Sequence, residues 1–473
     1  MRDHADGAVA SPDGSRIAFL FPNYREIWVI GPGGGQARRL ALAEPGYSFG
    51  RLAWSPDGRR ITCVRRSHDD TEYVIEAIEV ASGLRTVILS DPRLRAFCWA
   101  RDGRIIYARL EAPPGETSSN LWEIRTDPRT ARARGQPRRI TNWGGFLFSY
   151  LDISADGRRV AFVRFRWQSD IFLGELERNR TRIGRPRRLT FDERIDWPGG
   201  WTRDSRALLF YSDRNGDLDI FRQQVSGRDA QTLAPSPEEK RDPRLSPDGA
   251  WILYLAWPNA GERSGQGRLM RLPVSGGPPQ TVFPVRGYPG SARLAPDSWG
   301  TLHATGHPRF RCASVPGAPC VLAEQDRDQL VFTAFDPIEG RKGEITRIES
   351  HPSQVSFWDL SPDGRWIALG MREEQSASLR ILSLEGRAAR EIPVKGWTRL
   401  ESVAWAADGS ALFLTGLASN GSPLLRAGLN GQTHLLYTAP FQIENPSPSP
   451  DGRYLAFGEV APDSNAWVIE NFR

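Results

Sequence analysis

The sequence predicts an all-β fold built from about ten similar four-stranded antiparallel units. Three observations predict it: a four-residue turn motif recurs along the whole chain, the interval between copies is close to 45 residues, and a short β-rich run follows each copy. With 473 residues, 39% of them hydrophobic, and 16 Trp, the chain has enough apolar surface for a large folded core.

The turn motif most often reads Ser-Pro-Asp-Gly. Pro presets φ at the second position of a type I turn, Asp hydrogen-bonds locally, and Gly accepts the left-handed conformation that returns the chain. Each copy therefore joins a first strand to a second one. The motif begins at Ser11, Ser55, Ala100, Ser154, Thr202, Ser246, Ser314, Ser361, Ala406 and Ser449.

The remaining strands follow each turn in a fixed order. Second strands are apolar runs at 16–20, 158–163, 207–211 and 454–458. Third strands follow at 27–30, 121–124, 170–176, 219–225 and 466–472. More polar fourth strands, typical of a solvent-exposed edge, lie at 37–41, 137–141, 186–190 and 389–393.

A sheet of this kind is apolar on both faces of its first three strands and has to be covered by neighbouring sheets. A β-propeller, in which each sheet is a blade packed between two others, satisfies this requirement. Four tryptophans directly before a turn are expected to pack between blades: Trp54, Trp99, Trp201 and Trp405.

Ten repeats exceed the usual four to eight blades, so the array forms either one large ring or two propeller subdomains. The longest interval between turns contains a Gly- and Pro-rich stretch at 286–311, which we interpret as an inserted loop. The expected division is residues 1–285, with repeats one to six, and residues 286–473, with repeats seven to ten.

The turn and the strand after it, as in "SPDGSRIAFL", resemble the TolB-like or PD40 (WD40-like) propeller repeat over nearly the whole chain. The stretches "DPRLSPDGAWILYLAW", "CVLAEQDRDQLVFTAFDP" and "WDLSPDGRWIAL" further resemble the C-terminal sensor propeller of bacterial serine/threonine kinases and winged-helix regulators. That resemblance implies a signalling or DNA-binding module, and commonly a membrane anchor, upstream of the propeller.

Charge and hydropathy indicate which classes of partner to expect. The net charge of +6 comes from 59 Arg and three Lys spread along the chain, without a basic block, so we expect no nucleic-acid contact from this region. No apolar run is long enough to span a membrane, and the first residues do not read as a secretory signal. The expected location is extracytoplasmic if the chain is attached to a membrane-anchored kinase, and cytoplasmic if it is expressed as given.

Catalytic motifs are matched only weakly. "GYSFG" (46–50) fits the G-x-S-x-G pattern and nominates Ser48, but a strand follows it where a nucleophile elbow needs a helix. "GPGGG" (31–35) links a third strand to a fourth, so it is expected to be a hairpin loop and not a phosphate cradle. We predict no catalytic residue and no enzymatic activity.

Two clusters are weak candidates for metal binding, and we predict neither a metal nor a cofactor. The first is Asp213, Asn215, Asp217 and Asp219, where Asn-Gly is also a good hairpin turn. The second is His303, His307, Cys312 and Cys320, which lack the paired spacings of zinc fingers. Cys312 and Cys320 flank a turn and are expected to form a disulfide in an oxidising compartment, whereas Cys63 and Cys98 are expected to be buried thiols.

The leading hypothesis is a noncatalytic binding propeller that recognises a protein or small-molecule ligand at its inter-blade loops or central opening. It would be the sensory or interaction region of a larger signalling protein. The alternatives are the substrate-gating propeller of a prolyl-oligopeptidase-type peptidase whose catalytic domain is absent, and a TolB-like periplasmic scaffold. The sequence does not name the ligand.

Overall fold

The computed structural model describes residues 6–21, 24–35, 37–67, 72–111, 118–177, 180–258, 266–286, 308–326, 329–349, 356–371 and 378–472. These residues form 37 strands, and no helix is found among them. A helix able to cross a membrane is accordingly absent from the described ranges.

The first nineteen strands follow the chain order. They are β1 (Asp6–Ala10), β2 (Ile17–Leu20), β3 (Glu26–Ile30), β4 (Arg38–Leu42), β5 (Tyr47–Trp54), β6 (Arg60–Ser67), β7 (Tyr73–Glu79), β8 (Arg85–Ser90), β9 (Leu94–Trp99), β10 (Arg104–Leu110), β11 (Ser119–Thr126), β12 (Ala133–Arg139), β13 (Leu147–Ile153), β14 (Val160–Glu175), β15 (Arg187–Arg188), β16 (Asp196–Trp201), β17 (Ala207–Ser212), β18 (Asp219–Gln224) and β19 (Ala230–Thr232).

The remaining strands complete the described chain. They are β20 (Glu239–Leu245), β21 (Trp251–Trp257), β22 (Gly267–Pro273), β23 (Gln280–Val285), β24 (Arg309–Cys312), β25 (Cys320–Asp326), β26 (Gln329–Asp336), β27 (Gly340–Glu349), β28 (Ser356–Leu360), β29 (Trp366–Met371), β30 (Ser378–Ser383), β31 (Arg390–Pro393), β32 (Leu400–Trp405), β33 (Ala411–Gly416), β34 (Ser422–Gly428), β35 (Thr433–Ala439), β36 (Gln442–Pro448) and β37 (Tyr454–Ile469).

The strands pair into antiparallel sheets, which confirms the predicted all-β fold of four-stranded units. Among the described residues there are eight four-stranded sheets and one sheet of five strands, whereas the sequence predicts ten units. The difference arises because β14 and β37 each run on for 16 residues through the places where separate second and third strands were expected. The two long strands pair with each other: the amide of Leu176 donates to the carbonyl of Arg453, and the amide of Phe472 donates to the carbonyl of Arg158.

The predicted turn chemistry is present in the turn before β37. The Ser449 hydroxyl donates to Asp451 Oδ1 at 2.5 Å, and the Tyr454 amide donates to Ser449 Oγ at 2.8 Å. Gly452 has φ +67° and donates its amide to the Ser449 carbonyl, a conformation that a residue with a Cβ rarely adopts. The side chains of the motif therefore fix the reversal between the first and second strands.

The chain divides into two compact units, which differ from the expected ranges 1–285 and 286–473. Unit 1 is formed by Met1–Arg166 and Asp463–Arg473, and unit 2 by Trp167–Gly290 and His303–Pro462. The boundaries fall inside β14 and β37, because strand pairing and not the longest repeat interval decides which segments belong together. Most of the predicted inserted loop, 287–307, lies outside the described residues.

Unit 1 contains the sheets that begin with β1, β5, β9 and β13, whose first strands contact one another in chain order. Trp54 is buried as predicted and donates its Nε1 hydrogen to the carbonyl of Val9, in the neighbouring sheet, at 3.0 Å. Arg51 donates hydrogen bonds to the carbonyls of Phe97 and Leu151, so one guanidinium links the first strands of three sheets.

Unit 2 is a ring of six blades. Its first strands are β16, β20, β24, β28, β32 and β36; each contacts the next, and β36 contacts β16. The last blade combines β36 and the first part of β37 with the second part of β14 and β15. The amide of Leu176 donates to the carbonyl of Arg453 at 2.8 Å, and the rings of Phe172 and Phe457 stack at 6.1 Å. Strands from both ends of the unit thus close the ring.

Candidate functional site

A cavity of about 200 Å³ lies inside the ring of unit 2, at the end where the turn motifs lie. Every blade contributes to its wall. In five of the six blades the residue two positions before the turn motif is part of the lining: Gly200, Arg244, Asp359, Ala404 and Ser447. The β24 blade, whose turn begins one residue later, contributes Arg311 and Cys312. The repeat register therefore places the same position of these five blades at the chamber.

Arginine and aspartate side chains from three blades form an ion-pair network at the chamber. Arg244 Nε lies 3.0 Å from Asp242 Oδ1, and Arg311 approaches Asp242 Oδ2 at 2.9 Å through a terminal nitrogen. Arg311 Nε also lies 3.0 Å from Asp359 Oδ1. The Arg311 guanidinium therefore bridges two carboxylates, and this arrangement fixes its orientation.

The backbone of β20 explains why Asp242 and Arg244 can pair although they are two residues apart. Asp242 has φ +53°, and the register with β21 shifts between Arg241 and Arg244, which is a β-bulge. A bulge bends the strand and re-aims the following side chains. Asn445, at the equivalent place in β36, has φ +48° and a register shift of the same kind.

Burial and neighbouring charges shift the pKa values of the network residues in different directions. Burial and the neighbouring charge of Arg311 lower the pKa of both Arg244 and Arg309. Burial raises the pKa of Asp359 in spite of the nearby guanidiniums. Burial acts against ionisation of Asp242 as well, but Arg244 and Arg311 outweigh it and lower the pKa of that carboxyl.

The rest of the chamber wall is mainly aromatic and proline. Trp201 donates its Nε1 hydrogen to the Ser447 carbonyl at 3.0 Å. The Trp405 amide donates to Asp359 Oδ2 at 2.8 Å, whereas the buried Trp405 Nε1 has no hydrogen-bond partner in the described part of the chain. Further apolar lining residues include Phe357, Trp358, Pro247, Pro362, Pro446, Pro448 and Pro450.

Two hydroxyls of the lining are engaged in hydrogen bonds. Ser447 donates to the Gly199 carbonyl at 3.1 Å, and the Ser402 and Thr415 hydroxyls share a bond of 2.5 Å. No histidine belongs to the described lining. An arrangement of guanidiniums, carboxylates and aromatic rings without a paired nucleophile and base is suited to binding a ligand.

The sequence pattern favours an inter-blade loop for Ser48, but the structure places this residue inside strand β5. It is 7% exposed within β5, and its hydroxyl accepts a hydrogen bond from Arg66 Nε at 3.2 Å. The loop at 31–35 is a tight turn between β3 and β4, closed by a bond from the Gly34 amide to the Gly31 carbonyl at 2.9 Å. Neither segment has the strand-to-helix geometry of a catalytic or phosphate-binding motif.

The acidic cluster at 213–219 forms a hairpin turn, the alternative to a metal site. The Gly216 amide donates to the Asp213 carbonyl at 2.9 Å, and Asp213 Oδ1 accepts from the Ile195 amide at 2.9 Å. Asp219 Oδ1 lies 3.1 Å from Lys240 Nζ, and the Asn215 amide approaches Asp219 Oδ2 at 3.5 Å. These oxygens have protein partners, and among the described residues no group of three potential ligands has the geometry of a metal site.

The structure joins Cys312 and Cys320 in a disulfide between directly paired positions of β24 and β25. The other two members of that cluster, His303 and His307, lie outside the described residues. The turn in this blade begins at Val315, one residue later than predicted, with Gly317 at φ +79°.

Two other predictions concern buried side chains. Cys63 and Cys98 are buried free thiols, as predicted. Trp201 and Trp405 are buried between blades, whereas Trp99 is only partly buried.

Sequence reasoning missed the charged residues of the chamber. A usable signal was present: "DPRL", "RFRC" and "WDL" place charges in first strands that are otherwise apolar, directly before a turn motif. What the sequence did not reveal was that these three strands meet. The missed residues are Asp242, Arg244, Arg309, Arg311 and Asp359.

Comparisons with known proteins show partial similarity. No protein-family model matches the chain. It is 30% identical over 161 residues to the Tol-Pal system protein TolB of Wolinella succinogenes, which is 33% of this chain and 34% of that protein. It is also 30% identical over 110 residues to the uncharacterized peptidase YuxL of Bacillus subtilis, covering 23% of this chain and 17% of that protein. The chain thus spans about a third or less of these curated relatives.

Solved structures with similar folds include a putative TolB from Agrobacterium tumefaciens. That match has 15% identity and a TM-score of 0.44, and covers 63% of this chain and 99% of that one. A prolyl endopeptidase structure matches with 12% identity and a TM-score of 0.27, covering 97% of this chain and 54% of that one.

Proposed function

We propose that this TolB-like β-propeller is a noncatalytic binding module that recognises a ligand or protein segment in the chamber of unit 2. In this proposal it is the sensory or interaction region of a larger signalling protein. The resemblance of its repeats to sensor propellers supports that role. The chamber supplies the binding surface, because binding sites form in concave openings with a few convergent polar groups.

One observation carries the proposal. Six blades converge on a single chamber whose wall combines charged and aromatic side chains, while Ser402 and Ser447 are already hydrogen-bonded to protein atoms. A chamber of about 200 Å³ has room for a small ligand or for the end of a chain. Binding through fixed charges and rings needs no chemical step.

A substrate-gating role in a peptidase is the second candidate, and the partial similarity to YuxL favours it. The two roles differ in their requirement for a hydrolase. A gating propeller acts only together with a catalytic domain, whereas a sensor propeller binds its ligand alone.

The test blocks the chamber. Ala404 is buried in its wall, so Ala404→Leu fills space there, and Ala53→Leu makes the same change at the equivalent repeat position in unit 1. Compounds and short peptides that raise the unfolding temperature of the wild-type protein should lose their effect with Ala404→Leu and keep it with Ala53→Leu. Equal effects in both variants would place the binding elsewhere. Hydrolysis of peptides or esters by the purified chain, abolished by Ser48→Ala, would overturn the noncatalytic role.

A further inference from the structure

The chamber of unit 2 carries an excess of positive charge. Its lining includes four arginines and one aspartate, and a second aspartate, Asp242, pairs with two of those arginines from behind the wall. Glu444 also interacts with Arg309, and the four guanidiniums still outnumber these three carboxylates. The lining arginines are Arg203, Arg244, Arg309 and Arg311.

Arg244 and Arg311 play different parts in this network. Arg311 contacts Asp359 through its Nε and Asp242 through one terminal nitrogen. Arg244 uses only its Nε, on Asp242, and its two terminal amino groups have no hydrogen-bond partner among the described residues. The side chain of Arg244 is 21% exposed, and that residue lines the chamber. A guanidinium in this state presents donors for an incoming anion.

Burial disfavours a lone positive charge here. The pKa of Arg244 is lowered by burial and by the charge of Arg311. An anion bound at Arg244 would relieve the repulsion between the two guanidiniums, and the water-poor wall would strengthen that attraction.

The remaining wall limits what the anion can be attached to. Trp201, Trp405 and several prolines surround the arginines, and the buried Trp405 Nε1 is a donor that lacks a partner. A carboxylate needs two donors side by side, which one guanidinium supplies. A phosphate has further charged oxygens, and those that face rings and prolines would lose their hydrogen bonds to water.

We infer that the chamber binds an organic carboxylate, with the acid group on the terminal nitrogens of Arg244 and the apolar body against Trp201, Trp405 and the prolines. This inference rests on the proposed binding function and names the chemistry of its ligand. Asp242 and Arg311 are positioning residues that hold Arg244 in place. The carboxylate can belong to a free acid or to the C-terminus of a peptide.

The experiment measures binding by calorimetry with chemically matched probes. Phenylacetate and indole-3-acetate are the free acids, phenylacetamide is the neutral match, inorganic phosphate is the competing anion, and a Gly-Gly-Phe peptide is used with a free or an amidated C-terminus. We expect the free carboxylates to bind at least tenfold more tightly than the amides and than phosphate. A free acid that binds more tightly than the free peptide assigns the site to small acids, and the reverse order assigns it to a peptide end.

Variants locate the site. Arg244→Gln should weaken carboxylate binding at least tenfold. Arg244→Lys should weaken it less, because the positive charge remains although the paired donors of the guanidinium are lost. Arg206→Gln removes an exposed arginine in the turn after β16 and should leave binding unchanged. If Arg244→Gln does not fold, Ala404→Leu serves as the second variant and should abolish binding by filling the chamber.

Each contrary result has a defined meaning. Equal binding of phenylacetate and phenylacetamide, tighter binding of phosphate, full affinity in folded Arg244→Gln, or no carboxylate binding up to 10 mM overturns the inference. If only neutral ligands bind the wild type and Ala404→Leu abolishes their binding, the proposed binding function is supported and the carboxylate inference is wrong. If Ala404→Leu changes the binding of none of the ligands, both the proposed binding function of the chamber and the carboxylate inference are wrong.

Discussion

The blade that closes the ring of unit 2 is built from both ends of that unit, and a double mutant cycle across it tests this arrangement. Phe172 in β14 and Phe457 in β37 are 285 positions apart in the sequence, yet their rings stack at 6.1 Å with an interplanar angle of 11°. We therefore expect Phe172→Ala and Phe457→Ala to be energetically coupled, although nothing local connects them.

The structure sets the magnitudes. Phe457 is completely buried, so Phe457→Ala should lower the free energy of unfolding by about 3–5 kcal/mol. Phe172 is only partly buried, and its truncation should cost about 2 kcal/mol. Because stacked rings contribute about 0.5–1.5 kcal/mol beyond burial, the double variant should lose about 1 kcal/mol less than the sum of the single losses.

Urea unfolding followed by tryptophan fluorescence measures these losses. Phe172 paired with Phe332 is the matched control, since Phe332 is equally buried but lies in another hydrophobic cluster of the unit. That pair should be additive within about 0.5 kcal/mol. A coupling energy below about 0.3 kcal/mol between Phe172 and Phe457 would contradict the closure of the ring by these strands.

Three further predictions concern single sites. Reduction of the Cys312–Cys320 disulfide, which spans 8 residues, should lower the free energy of unfolding by about 2.5 kcal/mol in denaturant titrations, and an unchanged midpoint would contradict this. Gly199→Ala should cost about 1–3 kcal/mol, because its Cβ would lie 2.4 Å from a carbonyl of the next blade; unchanged thermal unfolding would show that the backbone yields freely. Asp13 has its pKa lowered to about 2, mainly by the Ser11 hydroxyl, so its stabilising contribution is present above about pH 4 and is lost as pH falls towards 2. Titration by carbon NMR should show this pKa rising towards 3.8 in Ser11→Ala, and no rise would exclude the hydroxyl as its cause.

The chamber links the fold to the proposed function. In five of the six blades the residue two positions before the turn lines the chamber, so the same repeat that builds the core also places residues at the chamber wall. Two of these side chains also connect neighbouring blades, since Asp359 accepts a hydrogen bond from the Trp405 amide and Ser447 donates one to the Gly199 carbonyl. The same side chains therefore contribute both to the scaffold and to the chamber wall.

The sequence by itself determined the local structure. The turn motif is stabilised by hydrogen bonds within five residues, as at Ser449, Asp451 and Gly452. It therefore predicts a reversal of the chain wherever it occurs. The β-rich runs between turns likewise determine antiparallel strands, and their apolar faces require neighbouring sheets. The all-β architecture follows from these local rules.

Only the tertiary structure decided how many blades share a ring and which side chains meet. The pairing of β14 with β37 depends on where six blades have turned far enough to bring the ends of unit 2 together, and no local motif records that angle. Asp242, Arg311 and Asp359 lie on three different blades, and their ion pairs form because ring closure brings those strands to a common axis. Contacts between residues far apart in sequence depend on the whole ring, whereas a turn depends on its own few residues.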